Sequence, residues 1–246
     1  MNKIMELVKI IEESQSIIFF GGAGVSTESG IPDFRSVDGL YNQKYKYPPE
    51  EILSHTFFLN NPKEFYRFYK DKMIIKGVKC NFAHIFLKKL EDMGKLKAIV
   101  TQNIDGLHSE AGNKIVYELH GSIKRNYCMK CHRFYDEDYI INSTDIPRCS
   151  CGGIIKPNVV LYEETLDEKV MMNSINAIEN ADCLIVGGTS LQVYPAAGLV
   201  RYFNGKYLVL INKDSTSLDT YAHLVINDKI GKVFMEADKY LKCESK

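Results

Sequence analysis

Four of the seven cysteines lie in one short stretch, at spacings that suit a metal ion. Cys128 and Cys131 form a C-x-x-C pair, Cys149 and Cys151 form a C-x-C pair, and 17 residues separate the two pairs. Two thiolate pairs at such a separation are typical of a tetrahedral zinc site. Four thiolates close the coordination shell, so the spacing predicts a structural zinc and not a catalytic one. Four free thiols are disfavoured, because clustered exposed thiols are readily oxidised.

The second feature that points to a chemical role is a glycine turn after an apolar segment. Gly22-Ala-Gly24-Val-Ser-Thr27 has the first two glycines of the dinucleotide fingerprint, with Thr27 in place of the third. A second turn, Gly187-Gly188, also follows an apolar run, and Asn212 ends the next one, about where a ribose-binding side chain is found. Either turn alone is explained as well by helices packing on strands. The two together predict a nucleotide site.

The segment after the first turn, Ile31-Pro-Asp-Phe-Arg-Ser36, is not required by a phosphate-binding turn. Pro32 disfavours helix at Ile31, so we expect the chain to leave the turn extended. Arg35 can pair with phosphate and Phe34 can cover a flat ring. A buried ion pair beside a packing Phe explains the same residues equally well.

Six apolar segments are predicted to be strands, and their polar ends carry the candidate residues. Helical periodicity is present over residues 3–13, 62–76 and 82–93, and Ser26–Ser29 is predicted to open a further helix. Buried strands alternating with helices predict an α/β fold with a doubly wound parallel sheet, which binds ligands at the carboxyl ends of its strands. The predicted strands are 16–22, 96–103, 114–121, 181–190, 206–212 and a short one around 225–226. Their polar ends are Gly22–Thr27, Gln102–Asp105, His120, Gly188–Ser190 and Asn212.

Two stretches interrupt this alternation and are predicted to be inserts. Residues 36–80 are rich in aromatic side chains, and residues 124–156 contain the cysteine pairs. Lys+Arg and Asp+Glu both number 31, so net charge gives no argument for nucleic-acid binding. No apolar run approaches the roughly 20 residues of a membrane span, and the N-terminus has no signal-peptide pattern. We therefore expect a cytoplasmic protein with reduced cysteines.

Together these motifs resemble those of the sirtuins, the NAD-dependent protein lysine deacylases, and most closely their bacterial and archaeal branch. GAGVSTESGIPDFRS, TQNIDGLHSEAG, ELHGS, the two cysteine pairs, KPNVVLYEE and GGTSLQVYPAA occur in the family's order over almost the whole chain. The resemblance implies a Rossmann-type sheet domain with a small zinc-binding domain and a helical insert. It assigns residues 1–35, 81–123 and 157–246 to the NAD-binding domain, 36–80 to the cofactor loop and insert, and 124–156 to the zinc module.

The resemblance also implies a role for each matching residue. His120 would be the general base and Asn103 a second catalytic residue that contacts the nicotinamide ribose together with Gln102. Ile104 and Asp105 would hold the nicotinamide carboxamide. Val160, Leu161 and Tyr162 would pair with the backbone of an acetylated protein or peptide substrate. The remaining NAD contacts would be Ala23, Thr27, Phe34, Arg35, Thr189, Ser190, Asn212 and Ile230.

The implied reaction transfers the acetyl group of acetyl-lysine to ADP-ribose and releases nicotinamide, with NAD as co-substrate and zinc as structural metal. A mono-ADP-ribosyltransferase or a deacylase for longer acyl groups on the same scaffold, and a non-enzymatic NAD-binding module, remain alternatives at this point.

Two departures from the family pattern bear on the substrate. Tyr162-Glu163-Glu164 stands where many members have Phe-Gly-Glu, which we expect to alter peptide pairing and not to abolish activity. The run Tyr66-Arg67-Phe68-Tyr69 lacks the arginine of the Tyr-x-x-Arg pattern found in members that prefer acidic acyl groups. An acetyl group is therefore expected to be preferred over succinyl.

Overall fold

The computed structural model describes residues 2–33 and 46–241. Phe34, Arg35 and Cys243 therefore lie outside the described residues. The described helices are α1 Lys3–Glu13, α2 Pro49–Ile52, α3 His55–Asn60, α4 Pro62–Phe68, α5 Phe82–Asp92, α6 Leu107–Glu110, α7 Glu137–Asn142, α8 Glu168–Glu179 and α9 Ile230–Asp238. The described strands are β1 Ile17–Gly21, β2 Leu96–Thr101, β3 Val116–Glu118, β4 Gly121–Cys128, β5 Phe134–Tyr135, β6 Ile155–Val159, β7 Cys183–Gly187, β8 Tyr207–Ile211 and β9 Leu224–Ile226.

The large sheet is parallel and has the strand order β3-β2-β1-β7-β8-β9. All six predicted strands are present, and every residue of β1 and β7 is buried. One apolar core joins the sheet to α1, α5 and α9, and a second joins its other face to α8 and the 3₁₀ segment Ala196–Tyr202. The prediction of a doubly wound parallel sheet is confirmed. The strand order reverses between β1 and β7, where such sheets bind ligands.

Helix boundaries differ from the predictions at two places. The helix predicted over 62–76 ends its α-helical part at Phe68 and continues as a π-helical turn, Tyr69–Met73, before Ile74 becomes extended. The helix predicted to open at Ser26 is wrong: 3₁₀ turns at Ala23–Val25 and Thr27–Ser29 stand there. Gly30, with φ +88°, ends the second turn in the left-handed region, which an α-helix cannot continue through.

The two predicted inserts share a third apolar core. Side chains of α2, α3 and α4 pack with those of the small antiparallel sheet β5-β4-β6 and α7. The Tyr66 hydroxyl donates to the Ile155 carbonyl, and Lys70 Nζ donates to the Ser143 carbonyl at 2.5 Å. The sheet of the cysteine module spans Gly121 to Val159, somewhat wider than the predicted 124–156. The domain boundaries themselves stay a prediction.

Two histidines, one in α5 and one in α6, are buried next to each other beside strand β1. The His84 and His108 rings lie 4.8 Å apart between centroids, and His108 also contacts Phe19. His84 Nδ1 accepts a hydrogen bond from the Asn81 amide, whereas its Nε2 and both nitrogens of His108 have no partner among the described residues. Burial lowers the pKa of His84 to about 4, against the opposing charge of Asp105, and lowers the pKa of His108 to about 3 with help from His84.

This pair predicts a loss of stability in mild acid. Both pKa values lie below the value of about 6.5 in the unfolded chain, so the unfolded state takes up protons first as the pH falls. The free energy of unfolding therefore does not suffer from this pair above about pH 6.5. Below that pH it declines, by up to about 1.4 kcal/mol per pH unit for each histidine.

The variant His108→Leu tests this prediction. It should equal or exceed the wild type in stability at pH 7, because it removes two unpartnered buried nitrogens. Its advantage should grow by about 2 kcal/mol between pH 6.5 and 5. Urea unfolding at both pH values measures the difference, and an advantage that does not change with pH would contradict the prediction.

Candidate functional site

A cavity of about 1180 Å³ lies between the carboxyl ends of the large sheet and the small-sheet body. All the candidate NAD, catalytic and peptide residues within the described ranges line it, although they come from separate parts of the chain. They are Ala23, Thr27, Gln102, Asn103, Ile104, Asp105, His120, Val160, Leu161, Tyr162, Thr189, Ser190, Asn212 and Ile230. Phe34 and Arg35 fall outside the described residues.

The two glycine turns meet backbone to backbone at the switch between β1 and β7. The Gly24 amide donates to the Gly188 carbonyl at 2.8 Å. A Cβ atom at Gly24 would lie 2.7 Å from the Gly188 Cα, and one at Gly188, where φ is +60°, would lie 2.4 Å from the Val25 nitrogen. No side chain can be accommodated at either position without moving the backbone. The glycines therefore let the two turns approach and leave the space above them open to a ligand.

Amide side chains that follow β2 and β8 both reach Thr189, directly after the second glycine turn. Asn212 Oδ1 accepts from the Thr189 amide at 2.8 Å, and Gln102 Nε2 donates to Thr189 Oγ1 at 3.1 Å. Asn212 Nδ2 is buried and has no partner among the described residues, although the residue lines the cleft. A buried donor without a partner is costly, so a ligand acceptor is expected there. These groups fit the ribose and phosphates of a dinucleotide.

Sequence reasoning missed a serine that holds together two residues expected to contact nicotinamide and its ribose. Ser26 is buried, and its hydroxyl donates to Asp105 Oδ2 at 2.7 Å while accepting from Asn103 Nδ2 at 3.1 Å. Asp105 Oδ1 accepts from the Leu107 amide at 2.8 Å. Each carboxylate oxygen keeps a free lone pair for a ligand amide. A small hydroxyl residue two positions after the second glycine of the G-x-G pair was the available signal.

Glu28 was also missed, and it links the first turn to the last helix. Its Oε2 accepts from the Gly231 amide at 2.7 Å in the first turn of α9. A carboxylate is favourable there because the first amides of a helix lack partners within the helix. The contact holds the start of α9, and with it Ile230, against the glycine turn.

His120 is held with a defined tautomer. Its Nδ1 lies 3.0 Å from the Gln102 carbonyl, which can only accept, so Nδ1 carries the proton and Nε2 is the acceptor nitrogen. Burial lowers the pKa of His120, and the hydrogen bond to Gln102 only partly opposes it. The next residue, Gly121, has φ +74°, and a Cβ there would lie 1.9 Å from the Asn158 carbonyl oxygen. His120 is therefore a neutral imidazole whose Nε2 can accept a proton, and it stands on a tightly packed turn.

The expected peptide-pairing segment, residues 160–162, offers fewer free backbone hydrogen-bonding groups than the exposed edge of a regular strand. The Val160 amide donates to the His120 carbonyl, the Leu161 amide to Glu164 Oε2, and the Tyr162 amide to the Leu53 carbonyl. Tyr162 also forms a parallel bridge with Ser54. All three amides are therefore committed within the chain, and the carbonyls of Leu161 and Tyr162 accept from the amides of Glu164 and His55. The Val160 carbonyl is left to serve an added peptide strand.

The counterpart of the acidic-acyl motif lies in the core and not in the cleft. Tyr66 and Tyr69 are both buried among the aromatic side chains of α4, and neither lines the cavity. Arg67 Nη2 is paired with Glu64 Oε1 at 2.5 Å, and 64% of its side-chain surface is exposed. An apolar wall of the cleft comprises Leu53, Met73, Ile104, Ile123, Val159 and Leu161. Charged residues of the small body, including Lys72, Lys76 and Glu137, line the cleft as well.

The four predicted metal ligands form one cluster. Their sulfur atoms all lie within 4.8 Å of one another, with Cys128 and Cys151 at 3.4 Å and Cys131 and Cys149 at 3.5 Å. These separations are too long for disulfide bonds, near 2.05 Å, and suit sulfurs that share a tetrahedral zinc ion at about 2.3 Å each. The Lys130 amide points at the Cys128 sulfur, as in a zinc knuckle. The donor set fits structural zinc.

Substitution of the glycine contact should selectively weaken dinucleotide binding. In Gly24→Ala the new Cβ meets backbone atoms of Gly188, so the two turns must separate. We expect the affinity for NAD to fall at least tenfold, measured by isothermal titration calorimetry. Gly198→Ala is the matched control, because its new Cβ would make only ordinary contacts, at 3.7 Å with Tyr194. Equal affinities for the two variants would contradict this assignment of the glycine turn.

The fold and cleft define a two-body α/β protein with a dinucleotide-type site between a parallel sheet and a cysteine-bearing module. The model of the Sir2 family matches residues 22–195. The chain belongs to the Sir2 family, the family of the sirtuins.

Relatives of known name cover nearly the whole chain. An NAD-dependent protein deacetylase of Clostridium acetobutylicum is 64% identical over 237 residues, covering 95% of this chain and 97% of the relative. One of Clostridium perfringens is 63% identical over 236 residues, covering 94% and 97%. A solved structure described as Sir2 with p53 peptide and NAD+ has a TM-score of 0.85 and 38% identity, and the match covers 96% of this chain and 98% of that one.

Proposed function

We propose that the protein is an NAD-dependent protein lysine deacetylase that transfers the acetyl group of acetyl-lysine to ADP-ribose and releases nicotinamide. The observation that supports this most directly is the convergence of His120, Asn103 and Asp105 with both glycine turns in one cleft. Relatives named NAD-dependent protein deacetylases, at up to 64% identity, support the same function. NAD is the co-substrate, an acetylated protein or peptide is the partner, and zinc is the structural metal.

Bound NAD would supply a ribose carbon that becomes electrophilic as nicotinamide leaves, and ADP-ribose would accept the acetyl group. Asp105 and the Ile104 backbone would hold the carboxamide of nicotinamide, with Ser26 keeping the carboxylate in place. His120 Nε2 would take a proton from a ribose hydroxyl, since Nδ1 is committed to the Gln102 carbonyl. The apolar wall would limit the access of water to the acyl group.

Product analysis tests this function against the alternatives. The purified protein is incubated with NAD and an acetyl-lysine peptide, and both the peptide and the protein are examined by mass spectrometry. A deacetylase gives peptide lighter by one acetyl group, together with free nicotinamide and O-acetyl-ADP-ribose. Added ADP-ribose on protein would favour a mono-ADP-ribosyltransferase, and unchanged NAD and peptide would favour a binding module.

The acyl preference follows from the apolar wall. A succinyl group would bring a carboxylate toward that wall, and Tyr69, at the arginine position of the acidic-acyl pattern, is buried in the core and does not line the cleft. Of the small-body lysines that line the cleft, Lys72 Nζ lies 3.1 Å from Asp71, Lys124 Nζ lies 2.6 Å from Glu137, and Lys76 is exposed to solvent. We expect kcat/KM for acetyl-lysine to exceed that for succinyl-lysine by at least tenfold on matched peptides. Comparable values would contradict the expected preference.

We further propose a cytoplasmic location, which the four clustered unpaired thiols support because such thiols persist in reducing compartments. None of the helices within residues 2–33 and 46–241 has the length and apolar character that a membrane span requires.

A further inference from the structure

A carboxylate behind the expected peptide-pairing segment connects three separate parts of the small body. Glu164 Oε2 accepts from the Leu161 amide at 2.9 Å and lies 3.0 Å from Lys156 Nζ at the start of β6. Glu164 Oε1 lies 2.7 Å from Nδ1 of His55, the first residue of α3. Only 20% of the Glu164 side chain is exposed. One carboxylate thus holds a strand, a loop and a helix start together.

Charge and hydrogen bonding keep this carboxylate ionised. Burial raises the pKa of Glu164, but the hydrogen bonds from His55 and the Leu161 amide and the charge of Lys156 outweigh it, so the pKa lies below its usual value. The neighbouring Glu163 has a different use: its Oε2 accepts from the Thr56 amide at 2.9 Å, and its φ is +76°. Glu163 is therefore already committed and does not duplicate the contact of Glu164 with Leu161.

The hydrogen bond from the Leu161 amide to Glu164 determines the direction in which the Val160 carbonyl points. The Leu161 N–H and the Val160 C=O belong to one planar trans peptide unit, in which the two groups point in opposite directions. Fixing the N–H on Glu164 therefore aims the Val160 carbonyl away from Glu164. That carbonyl accepts no hydrogen bond from any described residue, and Val160 lines the cleft beside His120. It is the acceptor that an added peptide strand can use.

We propose that Glu164 is a positioning residue for the acyl-lysine peptide: its carboxylate, held by Lys156 and His55, orients the Val160–Leu161 peptide unit so that the Val160 carbonyl accepts a hydrogen bond from the bound peptide. This rests on the proposed deacetylase function. The NAD side of the cleft has no contact with this carboxylate among the described residues, so the effect is confined to the peptide.

The variant Glu164→Gln tests the proposal. It keeps the side-chain volume but removes the charge that Lys156 requires and one of the acceptor oxygens. We expect the KM for an acetyl-lysine peptide, and the Kd of a fluorescein-labelled form of it by anisotropy, to rise about tenfold. The KM for NAD should stay within twofold and kcat should change little. Lys156→Met should shift the same peptide constants in the same direction, by less.

Glu168→Gln is the matched control, because Glu168 is an exposed glutamate four positions along the chain. Thermal unfolding of all variants reports whether the fold is kept. A rise in both KM values together, or a Glu164→Gln variant whose peptide KM and Kd equal those of the control, would overturn the proposal. A wild type that does not deacetylate the peptide would instead overturn the proposed function.

Discussion

His120→Ala should lose NAD-dependent deacetylation almost completely while still binding its substrates. A positioned general base contributes roughly 10²- to 10⁴-fold to rate, so we expect kcat to fall by at least about a hundredfold. The hydrogen bond of Nδ1 to the Gln102 carbonyl is the principal contact that the side chain gives up within the protein, so folding should be little affected. Steady-state kinetics with acetyl-peptide and NAD measure the loss, and calorimetry with each substrate reports binding.

The pH dependence gives a second signature for this base. His120 acts only when Nε2 is unprotonated, and burial lowers its pKa from the ordinary value. Activity should therefore persist as the pH falls to about 6.5 and decline below it, as the imidazole takes up a proton. His223→Ala is the control, because His223 directly precedes β9. It therefore lies at the amino ends of the strands, whereas the cleft lies at their carboxyl ends. Deacetylation by His120→Ala at the wild-type rate would refute the assignment of the base.

Removing the zinc should unfold the small body and abolish activity with it. Cys128, Cys149 and Cys151 belong to the third apolar core, and Cys128 is fully buried at the end of β4. β4 begins at the residue after His120, and β6 ends at the residue before Val160. Loss of the module therefore displaces both the expected base and the expected peptide segment. Structural zinc sites contribute folding free energy directly, about 10–16 kcal/mol in isolated zinc-finger peptides.

Cys128→Ser is the test, with metal content measured by mass spectrometry. We expect one zinc per chain in the wild type and less than a tenth of that in the variant. We expect the Tm of the variant to fall by at least roughly 10 °C, because each 1 kcal/mol of lost stability lowers the Tm by about 2–4 °C for a chain of this size. Cys80→Ser is the matched control, because the Cys80 thiol is half-buried outside the cluster. An active zinc-free protein with an unchanged Tm would show that the metal is dispensable.

Much of the site could be predicted from the sequence because its chemistry is concentrated in short motifs. Strand ends meet at one edge of a parallel sheet, so the polar residues after β1, β2, β7 and β8 had to converge. The cysteine spacing predicted a four-sulfur cluster, and the sulfurs do lie together. The local sequence pattern predicted the conformation after the first glycine turn less well. Two 3₁₀ turns stand in place of the predicted helix, and Gly30, in a left-handed conformation, ends the second of them.

The class of fold, the clustered cysteines and the polar residues at the strand ends could all be predicted from the sequence. Which of these residues touch one another depends on the tertiary structure. Ser26 reaches Asp105 across 79 positions, and His55 reaches Glu164 across 109. Such contacts depend on how sheet, insert and module pack, because side chains far apart in the chain leave no common periodicity. The tertiary structure also buries Tyr66 and Tyr69 away from the cleft, because large aromatic side chains gain free energy from packing in the apolar core.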